Sequence, residues 1–89
     1  MHDGTIYLVH FARPYRHARH YLGWTAAESV DARLARHKRG DGARLLRALV
    51  LAGIEFDVVR TWPGGRTEER ALKRRKNAPS LCPICREGR

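Results

Sequence analysis

With 89 residues and an apolar fraction of 43%, the chain has room for one packed domain and little more. Its formal net charge of +9, from 18 Lys and Arg against 9 Asp and Glu, points to a polyanionic partner bound through counterion release. No apolar run reaches the ~18 residues of a membrane span, and no basic stretch carries Trp and Phe on an opposite face. Nucleic acid therefore ranks ahead of a membrane surface.

The start, Met1-His2-Asp3-Gly4, has no basic region leading into an apolar core, so no signal peptide is expected. A cytoplasmic protein with reduced cysteines follows as the expectation. Thr5 to Phe11 is rich in β-branched and aromatic residues and predicts a strand. Ile6, Leu8 and His10 would share one face, and Tyr7, Val9 and Phe11 the other. A loop from Ala12 to His17, interrupted by Pro14, precedes a short second strand from His20 to Trp24. The connection is short enough for an antiparallel hairpin.

Thr25-Ala26-Ala27-Glu28 has the spacing of a capping box and predicts a helix running to about Arg39, stopped by Gly40. Asp41 is the expected cap of a second helix, Ala43 to Ala52, with Leu45, Leu46, Leu49 and Val50 inward and Gly53 as its stop. Ile54 to Arg60 alternates like a strand, and Trp62-Pro63-Gly64-Gly65 reads as a turn. A basic third helix is expected over Thr67 to Asn77, then an irregular tail from Ala78 to Arg89. This order predicts a small α/β sandwich, a largely antiparallel sheet covered by helices.

Phosphodiester hydrolysis needs an activated water, stabilisation of charge on the phosphate and help for the leaving oxygen. One carboxylate holding Mg2+ supplies much of this, because magnesium binds through one or two carboxylates and keeps several waters. Glu69, among Arg66, Arg70 and Lys73, has that setting; by spacing alone, Glu68 has it equally. An i,i+4 ion pair between Glu69 and Lys73 on a solvated helix is the purely structural reading. Arg33 and His37 share a helix face and could serve a phosphate, or belong to a basic solvent face with Arg36, Lys38 and Arg39. Tyr7 and Tyr21 fall on adjacent strands, where core packing is the ordinary role. Making a phenolate at neutral pH would cost about 4 kcal/mol before nearby cations offset it. His17 and His20 read as substrate-facing or surface residues.

Taken in order, Ile6-Tyr7-Leu8, Tyr21-Leu22-Gly23, Arg33-Leu34, His37, Gly40 and Glu69-Arg70-Ala71-Leu72-Lys73 resemble the GIY-YIG endonuclease domain, in its short stand-alone bacterial form. The likeness spans about residues 4 to 76, leaving a domain over 1–77 and a tail over 78–89. It implies an α+β fold, a three-stranded antiparallel sheet flanked by helices. Tyr7 and Tyr21 would line the site, one as general base or as orienter of the attacking water. Arg33 would stabilise the phosphate, His37 would assist, and Glu69 would hold Mg2+ or Mn2+. Glu69 is preferred to Glu68 because the family's glutamate precedes a similar x-x-Leu-Lys stretch. Arg13, Arg16, His17, Lys38, Arg39, Arg44 and Lys73 are the expected nucleic-acid contacts, with DNA ahead of RNA. A second copy of the chain or a partner protein would supply specificity. The chain departs from the family at Thr5, where the first glycine stands (Gly4 comes one position early), at Leu22 for isoleucine, and in a longer gap between the tyrosines. No asparagine matches the family's late one, Asn77 coming too early.

Cys82-Pro83-Ile84-Cys85 has the spacing of half a zinc site. Histidines could complete it, or two chains could share one Zn2+; a redox pair lacks the βαβ setting, and a reduced, exposed pair is the structural reading. Three functions follow: a metal-dependent nuclease, a catalytically inactive nucleic-acid-binding module on the same scaffold, or a zinc-stabilised partner-binding protein.

Overall fold

The computed structural model describes residues 4–26, 29–75 and 81–87, residues 86 and 87 by backbone alone. Strands β1 (Thr5–Tyr15) and β2 (Ala18–Thr25) lead to helices α1 (Val30–Lys38) and α2 (Arg44–Ala52). Strand β3 (Phe56–Pro63), α3 (Arg66–Arg75) and the short α4 (Pro83–Glu87) follow. The three strands form one antiparallel sheet in the order β2-β1-β3, so the fold is the expected α+β arrangement.

β1 takes the centre because both of its faces are apolar. Tyr7, Val9 and Phe11 meet Leu46 and Leu49 of α2, Ile54 and Phe56 in the main core, with Val30 and Leu34 of α1 at its edge. Ile6 and Leu8, on the opposite face, are equally buried. Burying two such side chains on a second face is worth roughly 1.5–3 kcal/mol each.

The strands run further than predicted. The stretch taken as a loop, Ala12 to His17, is mostly strand, and the hairpin turns at Arg16, whose φ is +57°. β1 and β2 pair from Thr5↔Thr25 to His10↔His20 and again at Tyr15↔Ala18, with a register shift between. Pro14 sits in that unpaired interval, where its missing N–H costs no ladder bond. β3 likewise begins later and ends later than predicted, taking in Trp62 and Pro63, which are not turn residues. Ile54 instead closes the core below α2, its N–H donating to the Leu49 carbonyl at 2.9 Å.

Both predicted helix caps are replaced. Thr25 is the buried last residue of β2, and Ser29 caps α1, its hydroxyl accepting from Ala32 N–H at 3.1 Å. Ala27 and Glu28, half of the expected capping box, lie outside the described residues. Asp41 turns to Arg36 at 3.9 Å, and α2 starts after Ala43 without a side-chain cap. It ends on Gly53 as predicted, but Val50 points out to solvent. Helix α3 starts at Arg66, and Asn77, the expected end, lies outside the described residues. The tail is not wholly irregular. It carries α4 and buries Cys82 completely.

Candidate active site and metal centre

Strand alternation puts Tyr7 and Tyr21 on the same face of the sheet, since Tyr7 pairs with Gly23 and Tyr21 with Val9. Their ring centroids are 6.4 Å apart. His37 from α1 completes a group of three rings, 6.1 Å from Tyr7 and 5.9 Å from Tyr21. Tyr7 Oη and His37 Nε2 share a 2.9 Å hydrogen bond, with both side chains at most 1% exposed. The Arg33–His37 face of α1 therefore points inward, not to solvent. The Arg33 guanidinium also acts on the Tyr7 hydroxyl, drawing its pKa down against the effect of burial.

Two glycines make the room. A Cβ at Gly23 would come within 2.3 Å of Tyr7 Cζ, so only glycine lets that ring lie over the neighbouring strand there. At Gly42, with φ +147°, a Cβ would come within 2.6 Å of His37 Nδ1.

Above this buried layer opens a cleft of about 480 Å3, lined by Tyr21, Trp24, Arg33, Arg66, Glu69, Arg70 and Lys73 among others. Glu69 lies in the first turn of α3, is 7% exposed, and pairs with Lys73 at 3.3 Å. Glu68, one residue round the helix, is exposed to solvent, so of the two adjacent glutamates it is Glu69 that lines the cleft. Lys73 also lies 5.5 Å from the centre of the Tyr21 ring, and Arg66 lies 5.6 Å from that of Trp24. Among the described residues, the cleft lining thus sets one carboxylate, Glu69, beside four cationic side chains, Arg33, Arg66, Arg70 and Lys73.

Burial raises the Tyr21 phenol above its ordinary 10.0, Glu69 adds to the rise, and Arg33 and Arg66 offset only part. Burial raises Tyr7 as well, against the pull of Arg33. Both tyrosines are therefore neutral phenols at physiological pH. Replacing Tyr7 by Phe removes the hydroxyl that His37 and Arg33 share. The expected cost is about 1 kcal/mol, read as a lower denaturation midpoint with an unchanged slope.

The predicted nucleic-acid contacts scatter. Lys73 lines the cleft. Arg13 donates to the Ala52 carbonyl at 3.3 Å, Arg16 lies over the Tyr15 ring at the hairpin tip, and His17 is exposed beside it. Lys38 pairs with Asp57 at 3.1 Å, and Arg39 and Arg44 are exposed at helix ends. Among the described residues, none of these six lines the cleft. Arg66 and Arg70, read from the sequence only as neighbours of Glu69, do, as does Trp24, which nothing in the sequence singled out.

A second cluster lies on the opposite face of the sheet. His10 and His20 are direct cross-strand partners, with ring centroids 5.2 Å apart and edge to face. The tail brings Cys82 Sγ to 3.4 Å from His10 Nδ1 and Cys85 Sγ to 3.3 Å from His20 Nε2. All four ligand atoms lie within 4.8 Å of one another, a group able to hold a metal ion. His20 is thus half-buried on the face opposite the Glu69 cleft, and the cysteine pair is not an exposed one, Cys82 being buried and Cys85 half-buried. Burial lowers the His20 pKa below 6.5, with His10 and Arg19 adding to it. Thiolate and imidazole ligands do not suit Mg2+, which favours oxygen.

The chain matches no protein-family model, and searches of curated proteins and of solved structures find no significant match. Among the described residues, no helix is long and apolar enough to cross a membrane.

Proposed function

We propose that the chain is a divalent-metal-dependent nuclease whose site is the cleft at Glu69, in keeping with its resemblance to GIY-YIG endonucleases. The observation that carries this reading is the setting of Glu69, one nearly buried carboxylate among Arg33, Arg66, Arg70 and Lys73 with the Tyr21 ring beside it. A structural ion pair needs one cation. Among the described residues the cleft lining carries four cationic side chains to one carboxylate, which gives it a positive character where a phosphate would sit.

Glu69 would hold Mg2+ or Mn2+, and such an ion supplies a polarised phosphoryl oxygen and a more acidic water. Arg33, fixed from below by Tyr7, would neutralise charge building on the phosphate. Arg66, Arg70 and Lys73 would bind the flanking backbone, Lys73 exchanging Glu69 for phosphate. Tyr21, a neutral phenol, would orient the attacking water and not deprotonate it. Tyr7 and His37 lie too deep to touch substrate and act by positioning Arg33 and Tyr21. DNA ahead of RNA follows the resemblance. A cleft of this size contacts few nucleotides, so sequence specificity would come from a second copy or a partner protein.

A catalytically inactive nucleic-acid-binding module has one observation in its favour: Lys73 already occupies Glu69. Labelled single-stranded, duplex and branched DNA, incubated with Mg2+, with Mn2+ and with EDTA, separates the two. Cutting that EDTA abolishes supports the nuclease. Binding that weakens steeply with salt, without cutting in any condition, supports the module. The pH profile tests the role of Tyr21. Below pH 10.0 the wild type should show no alkaline rise in rate that Tyr21→Phe removes. Such a rise would make the phenolate a general base.

A further inference from the structure

We propose that His10, His20, Cys82 and Cys85 form a closed Zn2+ site that fastens the tail to the β1–β2 hairpin. Zn2+ bound tetrahedrally, with Zn–N near 2.0–2.1 Å and Zn–S near 2.3 Å, requires ligand separations of about 3.3 Å for N–N and about 3.6 Å for N–S. The protein holds His10 Nδ1 and His20 Nε2 3.3 Å apart. Its N–S separations are 3.4 Å for Cys82 to His10, 3.7 Å for Cys85 to His10 and 3.3 Å for Cys85 to His20. Four of the six edges of a zinc tetrahedron thus stand within about 0.3 Å of the required lengths, and all four atoms lie within 4.8 Å of one another.

Two nitrogens and two sulfurs in tetrahedral array select zinc over the oxygen-seeking cations. Four protein ligands leave no open position, which marks a structural site and not a hydrolytic one. The sequence supplies each half by a different route. Cross-strand pairing places His10 against His20, and the two-residue spacing with the α4 turn aims both sulfurs the same way.

The tail also needs a fastening. Helix α4 has 5 residues, too short to persist on its own. Its other described polar anchor is one bond, Arg60 Nη1 donating to the Leu81 carbonyl at 3.2 Å. A chain of 89 residues is close to the size at which small domains rely on metal or disulfide staples. The site faces away from Tyr7, Tyr21 and the Glu69 cleft, so it adds a second metal function to the molecule and owes nothing to the nuclease reading.

Elemental analysis of the full chain, purified under reducing conditions and dialysed against Zn2+, should give one zinc per chain. X-ray absorption should give two nitrogen and two sulfur neighbours. A strong chelator should lower the melting temperature, and Zn2+ should restore it. His20→Asn and Cys85→Ser should each weaken zinc binding at least about a hundredfold, while Glu69→Gln retains it in full. Absence of stoichiometric zinc, an oxygen-rich first shell, or a disulfide joining Cys82 and Cys85 in its place would overturn the site. So would unchanged affinity in both variants. If either variant fails to fold, the absorption spectrum of the wild type still decides.

Discussion

Replacing Glu69 with Gln should lower cutting at least about a hundredfold and leave the fold intact. Glutamine keeps the shape of the side chain and removes its charge, so what changes is the ability to hold a hard cation. A hundredfold loss corresponds to about 2.7 kcal/mol of transition-state stabilisation, the scale of one preorganised electrostatic group. The structural cost is small, because the pair with Lys73 is an i,i+4 contact on α3 worth only a few tenths of a kcal/mol. Binding should hold or tighten, since the cleft loses the Glu69 charge while Arg33, Arg66, Arg70 and Lys73 stay. Glu68→Gln is the matched control. Its side chain is exposed, and cutting should be unaffected. Rate and affinity measured on all three proteins separate this account from one in which Glu69 serves only α3.

Replacing Gly23 with Ala should destabilise the protein by about 3 kcal/mol, at the upper end for overpacking a core. The added methyl would come within 2.3 Å of Tyr7 Cζ, and that ring has nowhere to go. It is fully buried, packed among Val9, Phe11, Leu46 and Leu49, and tied at its hydroxyl to His37. Urea denaturation measures the loss as a lower midpoint. Pairing the change with Tyr7→Ala should cost at least about 1 kcal/mol less than the two single changes summed, because the second substitution opens the space the first needs. An alanine variant as stable as the wild type would mean the tyrosine does not lie across Gly23. Cutting should fall with stability in this variant, since Tyr7 supports Arg33 from below.

Much of this site can be read from residue order, and the remainder depends on which way elements face. Ile6-Tyr7-Leu8 and Tyr21-Leu22-Gly23 announce two strands, and antiparallel pairing then puts both tyrosines on one face. The i,i+4 relation of Arg33 and His37 is equally legible. Their direction is not, because Arg36, Lys38 and Arg39 make α1 look basic all round, while His37 is one of the most buried residues in the protein. Glu68 and Glu69 are adjacent and chemically alike, and the ~100° between neighbours on a helix separates them. Arg13, Arg16, His17, Lys38, Arg39 and Arg44 were expected at the nucleic acid from charge and order. Charge carries no direction, and these six stand away from the cleft.

The metal cluster shows the same limit more sharply. Cys82 and Cys85 are visible as half a site because their spacing is local. His10 and His20 are hidden, because their meeting depends on the register of a hairpin whose outer part, Ala12 to His17, was read as loop. With β1 running to Tyr15 and the turn at Arg16, His10 and His20 become neighbours, and the tail closes over them. The caps failed for a related reason. Thr25 and Asp41 have the right chemistry, but β2 absorbs Thr25 and Arg36 attracts Asp41, so Ser29 caps α1 and α2 goes uncapped by a side chain.

If the Glu69 cleft cuts phosphodiester bonds with a bound divalent ion, cutting must follow a Mg2+ titration. Wild type and Glu69→Gln would be assayed side by side on one labelled DNA, from EDTA to saturating Mg2+. The wild type should cut only with metal and reach a plateau, and the variant should stay near background throughout. Equal cutting by the two, or cutting by the wild type in EDTA, would contradict the account.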